Sequence, residues 1–213
     1  MVTALSDIFN RNKNRFVRLT REFSWLVLGQ IFGIIGSLAL LRVTTDYLLP
    51  KEYGQLTLTL TLGVLVCQVS LSGVMPGITR YYTIAVERGE VSNFTKASYR
   101  LMSYGVAVTL FLSILVCSTA FFTNYASWIG GILLAIGFTQ ISQFNSTLSS
   151  IQNAARQRNV VVLHGIADPW LKILLLNLIF KAVANHVILV ILAYILSALI
   201  ILCSQLFFFR RLS

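Results

Sequence analysis

Residues 23–41 read FSWLVLGQIFGIIGSLALL, carry no charge, and are followed at once by Arg42. At about 1.5 Å of rise per residue, a helix of this length crosses the roughly 30 Å hydrocarbon layer of a bilayer. The same texture recurs along the chain. Of its 213 residues, 56% are hydrophobic and 11% are charged, where a soluble domain carries about 25% charged residues. This composition excludes a water-soluble globule. The formal net charge of +10 would suggest nucleic acid in a polar chain. Here the basic residues stand in short clusters between apolar runs, which points to a polytopic membrane protein and to no nucleic-acid partner.

Working outward from the first run gives an all-α integral membrane protein with six transmembrane helices. The expected spans are about 23–42, 53–79, 101–122, 127–150, 159–180 and 185–209, forming one lobe over residues 23–209. The polar stretch Thr123-Asn124-Tyr125-Ala126-Ser127 divides an uncharged run that is too long for one crossing. Leu56 to Leu62 alternates Leu with Thr, a strand-like period. A lone strand in lipid would leave its backbone unpaired, so a helix is expected there, with Thr57 and Thr61 on one face.

Lys and Arg set the orientation. With a cytoplasmic N-terminus, the inner segments hold Arg11, Lys13, Arg15, Arg18, Arg21, Arg88, Lys96, Arg100, Arg156, Arg158, Arg210 and Arg211, against Lys51 and Lys181 outside. Both termini are therefore expected in the cytoplasm. Residues 1–22 are a basic cytoplasmic tail, or an interfacial helix with Leu5, Ile8, Phe9, Phe16 and Leu19 on its apolar face. Residues 210–213 form the cytoplasmic end.

Chemistry-bearing motifs are missing from the sequence. There is no Gly-x4-Gly-Lys phosphate loop, no His-Glu-x-x-His and no Gly-x-Ser-x-Gly, and the aspartates Asp7, Asp46 and Asp168 are far apart in sequence. His164, His186, Cys67, Cys117 and Cys203 lack ligand spacing. No enzyme, catalytic residue, metal or cofactor is expected.

The informative residues are the polar ones at membrane depth, where an ionised group costs about 2.5–3.5 kcal/mol even on insertion scales. Asp168 and Lys172 lie one turn apart on the fifth span, near mid-membrane, and Pro169 between them permits a bend. Lys172 is a candidate for an anionic substrate, and Asp168 for charge balance or coupling; the competing role is a permanent pair that fixes the span. Arg42 falls about 28 Å along span one and Arg80 about 40 Å along span two, so that one guanidinium would mark each mouth. Arginine's planar fork suits phosphate, and snorkelling to headgroups is the competing role. Thr139, Gln143, Ser146 and Ser150, with Gln140 and Thr147 nearby, give span four a polar stripe that either lines a hydrophilic path or bonds a neighbouring helix. Gly29, Gly33 and Ser37 form a small-residue ridge suited to close helix packing. Gly73, Pro76 and Gly77 give span two a flexible point, so Pro76 and Pro169 are the candidate hinges.

Leu40-Leu41-Arg42, Pro50-Lys51-Glu52-Tyr53-Gly54 and Gly73-Val74-Met75-Pro76-Gly77-Ile78-Thr79-Arg80-Tyr81-Tyr82 resemble the opening of Wzx-type O-antigen and polysaccharide flippases, in the multidrug, oligosaccharidyl-lipid and polysaccharide exporter superfamily. The resemblance covers mainly residues 25–100. It implies two six-helix lobes around a cationic cavity, moving undecaprenyl-pyrophosphate-linked glycan across the bacterial inner membrane by alternating access without direct use of ATP. Family members generally have twelve or more spans, so this chain resembles an N-terminal lobe. A second six-helix lobe, from a missing C-terminal half or another copy, is then the implied partner, alongside membrane lipids. Under this expectation Arg42, Arg80 and Lys172 attract pyrophosphate, and Thr139, Gln143 and Ser146 face the glycan. The alternatives are a drug or small-cation exporter of the same superfamily, and a non-transporting assembly or scaffold subunit.

Overall fold

The computed structural model describes residues 2–123, 125–155, 157–182 and 186–210, with side chains over 24–123, 125–155, 157–181 and 186–208. The apolar face expected within residues 1–22, the side chains of Arg156 and Arg210, and residues 211–213 lie outside that set. Among the described residues seven α-helices follow in order: α1 Val2–Tyr47, α2 Pro50–Leu71, α3 Val74–Arg88, α4 Val91–Phe122, α5 Ile129–Ala154, α6 Arg158–Ala182 and α7 Val187–Arg210. A single 3-10 turn, Ala126–Trp128, precedes α5. There is no strand among the described residues. Among the described residues, six segments are long and apolar enough to cross a membrane, namely Ser24–Tyr47 of α1, then α2, α4, α5 with its leading turn, α6 and α7. The protein is an all-α, multi-pass membrane protein.

Local chemistry sets the helix ends. Pro50 occupies the first position of α2, where its missing N–H costs nothing, and Glu52 Oε2 accepts a 3.2 Å hydrogen bond from the Leu49 N–H. Span two differs from its expected extent of 53–79. Pro76 has no N–H to offer the Ser72 carbonyl one turn back, so α2 stops at Leu71 and the chain restarts as α3 after Gly73. Pro76 then sits in the first turn of the new helix, a position proline tolerates. Helix α3 ends at Gly89, whose φ of +71° is the left-handed conformation of a helix C-terminus. There the Glu90 N–H closes on the Ala85 carbonyl at 2.9 Å.

The Leu-Thr alternation at 56–62 is helical. Thr57, Thr59 and Thr61 each return their hydroxyl to a backbone carbonyl three or four residues earlier, at 2.8–2.9 Å, so they need no water in the bilayer. Most of the exposed Leu, Ile, Val and Phe side chains belong to the membrane-spanning helices, as lipid contact requires.

Helices α5 and α7 form the middle of the bundle. Helix α2 packs on α5, α4 packs on α2 and α5, α6 packs on α7, and α1 lies along α6 while barely touching α2. The larger core joins Leu48, Leu56, Leu176, Val190, Ile191 and Tyr194 towards the end of the bundle that carries the α1–α2 turn. A second core joins Val66, Ala120, Ile132 and Ile136 between α2, α4 and α5.

Two close approaches depend on glycine. On α1, Gly29, Gly33 and Gly36 form the ridge that meets α6. A Cβ at Gly29 would strike Val162, and one at Gly36 would stand 2.8 Å from Pro169 Cγ. Ser37, expected as the third member of that ridge, instead turns its hydroxyl to the Gly33 carbonyl at 2.9 Å. On α2, a Cβ at Gly63 would come within 2.8 Å of the Ala135 carbonyl oxygen of α5. That neighbour is backbone and yields only by separating the helices. Gly63→Ala is expected to destabilise the protein by about 1–3 kcal/mol, seen as a lower unfolding temperature in detergent. Gly130→Ala, where the added atom meets nothing within 4 Å, serves as the control.

Candidate functional site

Positions 168 and 172 lie one helical turn apart, so α6 presents both on one face. Lys172 Nζ meets Asp168 Oδ2 at 2.5 Å. The lysine side chain is 13% exposed and the aspartate 37%. Lys172 lies about 21 Å from the start of α6 and about 15 Å from its end, at mid-span. Two neighbouring helices enclose the ammonium. Phe138 of α5 and Tyr194 of α7 place their ring centroids 5.3 and 5.5 Å from Nζ, and those rings pack on each other at 5.6 Å. A cation over an aromatic face gains up to about 2 kcal/mol when desolvated, so the rings replace part of the lost hydration.

The box extends to two further side chains. Ser197 of α7 is fully buried, and its hydroxyl lies 3.5 Å from both the Asp168 carbonyl and Oδ1. The Tyr194 hydroxyl lies 3.5 Å from Thr44 Oγ1. Thr44 already donates to the Leu40 carbonyl at 2.7 Å, so the phenol is the donor to Thr44. Tyr194 thereby ties α1 to the ion pair through α7.

Pro169 is buried, and its ring rests on Gly36 of α1. It offers no N–H to the Gly165 carbonyl, whose oxygen lies 3.8 Å from where a Cβ would stand on Gly33. Its position is thus pressed against the glycine ridge of α1.

The other expected site residues lie elsewhere. Arg42 is 80% exposed and pairs with Asp46 at 3.2 Å, on the face of α1 opposite the glycine ridge. Arg80 is exposed on α3, opposite the Ile78 and Ala85 face that packs into the bundle. Lys172 points inward and the two arginines outward, so this bundle forms no vestibule shared by the three cations. Pro76 is exposed at the start of α3.

The stripe on α5 is divided among neighbours. Thr139 is buried, donates to the Ala135 and Ile136 carbonyls, and touches Cys67 of α2 at 3.2 Å. Thr147 contacts the Met75 sulfur of α3. Gln143 is half-buried and Ser146 is exposed. Other polar residues of α5 bond to α7: Asn145 Nδ2 donates to the Ala198 carbonyl at 2.9 Å, Gln152 Nε2 to the Gln205 carbonyl at 3.3 Å, and Ser149 accepts from Gln205 Nε2 at 2.9 Å. His164 of α6 bridges the Val160 carbonyl at 2.7 Å and Ser204 of α7 at 2.9 Å. Among the described residues no group of three His, Cys, Asp or Glu side chains is placed to hold a metal.

Between α1 and α2 lies a groove of about 420 Å³. Ser37 and Thr44 of α1, Thr57, Leu60 and Thr61 of α2, and Tyr194 belong to its walls. It runs from near the α1–α2 turn to about mid-span. Sequence reasoning singled out the ion pair but missed Phe138, Tyr194, Ser197 and the groove. An aromatic residue inside an apolar run gives no sign of which neighbour it will meet.

Comparison with family models, with characterised proteins and with solved structures finds no match to this chain.

Removing one partner of a pair this enclosed strands the other. Asp168→Asn is expected to cost about 2–3 kcal/mol, below the range for fully buried pairs because Asp168 is partly exposed. The double variant Asp168→Asn/Lys172→Met is expected to recover most of that loss. A double-mutant cycle on unfolding temperature in detergent checks both values.

Proposed function

We propose that the chain forms one six-helix lobe of a secondary transporter that carries lipid-linked oligosaccharide, an O-antigen or capsular unit, across the bacterial inner membrane, with both termini cytoplasmic. The observation that carries the reading is the Lys172–Asp168 pair at mid-span. It sits on a helix that contains Pro169, and aromatic rings contributed by two other helices enclose its ammonium. Packing alone gives little reason to maintain two ionised groups at that depth, since an apolar pair of similar volume is often as stable. A cation that alternates between Asp168 and the anionic pyrophosphate of a substrate gives such a reason. The sequence resemblance over residues 25–100 supports the same substrate class.

In this reading Lys172 receives negative charge and Asp168 releases it, taking a proton or cation in exchange. Arg42 and Arg80 face away from the bundle, where a second lobe would complete the path and place them towards its cavity. Gln143 and Ser146, the stripe residues left partly open, are the ones available to glycan hydroxyls.

One set of contacts favours a second reading, a non-transporting assembly subunit. The seam from Asn145, Ser149 and Gln152 to α7 uses polar side chains to join helices. Lys172→Met in the full-length protein separates the two. Transport predicts that most surface glycan disappears while the protein persists in the membrane, followed by gel analysis of extracted polysaccharide and by immunoblot. Unchanged glycan at normal protein level overturns the transport reading. If the single variant is degraded, Asp168→Asn/Lys172→Met supplies the same comparison in a bundle without the stranded charge.

A further inference from the structure

We propose that the seam between α5 and α7 takes up a file of water molecules, which gives Asp168 a route to solvent at the end of the bundle opposite the α1–α2 turn. The seam is polar along one stripe. Asn145, Ser149 and Gln152 recur on one face of α5 at helical spacing, and Gln157 follows in the turn to α6. Helix α7 adds Ser197 and Gln205. Gln152, Ser197 and Gln205 are fully buried.

The unmet atoms of this seam are all amide oxygens. Asn145 Oδ1, Gln152 Oε1, Gln157 Oε1 and Gln205 Oε1 are buried and meet no donor among the described residues. Three of the amide nitrogens are already committed: Asn145 Nδ2 to the Ala198 carbonyl, Gln152 Nε2 to the Gln205 carbonyl and Gln205 Nε2 to Ser149 Oγ. Turning over the Asn145 or Gln152 amide would set its oxygen against a carbonyl oxygen, so these acceptors stay where they are. A buried acceptor without a donor keeps the full loss of its hydration, and such atoms are few in a native fold. Four along one seam require a ligand that brings donors. Neither α5 nor α7 contains an acidic residue, and Arg158 opens α6 directly after Gln157. A metal cation has no counter-charge there, so water is the donor.

Spacing joins these positions into a path. Asn145, Ser149 and Gln152 stand about 4.5–6 Å apart along the helix axis, a step that one water spans with two hydrogen bonds. The Asn145 amide bonds the carbonyl of Ala198, next to Ser197, whose hydroxyl lies 3.5 Å from Asp168 Oδ1. At the far end the Gln157 N–H closes on the Gln152 carbonyl at 2.8 Å, in the turn between α5 and α6. Acceptors therefore run from that turn to the ion pair. The opposite direction is closed. Leu176, one turn beyond Lys172, is fully buried with Val190 and Ile191 in the apolar core. Solvent thus reaches the pair from one end only. Under the transport reading above, on which this use of the file rests, that end supplies the proton that Asp168 takes in exchange.

The test is X-ray radiolytic footprinting of the full chain in phosphatidylcholine nanodiscs, in which hydroxyl radicals form at bound water and oxidise the side chains beside it. Ile201 is buried and lies between Ser197 and Gln205 on one face of α7, and Ile191 is its buried counterpart in the apolar core. Ile201→Met and Ile191→Met place equally reactive reporters at the two positions with little change in volume. Oxidation is expected to be several-fold faster at position 201 than at 191. Adding Gln152→Leu/Gln205→Leu should lower the rate at 201 to that at 191, with the fold checked by unfolding temperature. Equal rates at the two positions without that double substitution, or a fast rate at 201 that survives it, overturn the proposal. So does protection of 201 together with a higher unfolding temperature in sodium chloride than in N-methylglucamine chloride, which assigns the amides to a metal ion. If the double substitution unfolds the protein, the comparison of 201 with 191 decides alone. The functional reading fails separately. Fast oxidation at 201 with surface glycan intact in Lys172→Met keeps the file and removes transport, and slow oxidation with glycan lost does the reverse.

Discussion

An ammonium group in the middle of an apolar bundle has to be compensated from several directions, and the enclosure of Lys172 brings four helices into register. Its own helix supplies Asp168, α5 supplies Phe138, and α7 supplies Tyr194 and Ser197. Helix α1 reaches the same point through Thr44 and the Tyr194 hydroxyl. In hydrocarbon no hydrophobic force draws one helix to another, because lipid tails are as apolar as leucine, so association relies on close packing and polar contacts. The ion pair provides the polar contact near mid-span, and the glycine ridge of α1 provides the close packing beside it.

The remaining polar side chains follow the same logic at other depths. Serines and threonines facing lipid or the groove satisfy themselves on the preceding turn. Several longer amides bridge helices instead: Asn145, Gln152 and Gln205 lie between α5 and α7 towards the end opposite the α1–α2 turn. The bundle is thus joined mainly by apolar packing at one end and by hydrogen bonds at the other.

How much of this was legible in the sequence differs by level. Hydrophobic run length alone gives six crossings, because a bilayer imposes one length scale on every span. The Asp168–Lys172 pair was legible from its i, i+4 spacing, and the glycine ridge from its periodicity, apart from the exchange of Ser37 for Gly36. The end of α2 was misplaced because apolarity continues past Gly73, whereas the break follows from the missing N–H of Pro76. The separation of Arg42 and Arg80 from Lys172 was not legible. Depth along a helix can be read from residue counts, but the direction a side chain faces depends on which helix becomes the neighbour. Arg42 and Lys172 have similar sequence surroundings and opposite surroundings in space.

The seating of Pro169 on Gly36 has a mechanical consequence. Helix α1 packs on α6 over several turns and barely touches α2, so α6 is what holds it in the bundle. Any change in the path of α6 at its proline would carry α1 along and alter the gap facing α2. The ion pair beside that proline and the gap facing α2 are thus joined through one contact, Pro169 on Gly36.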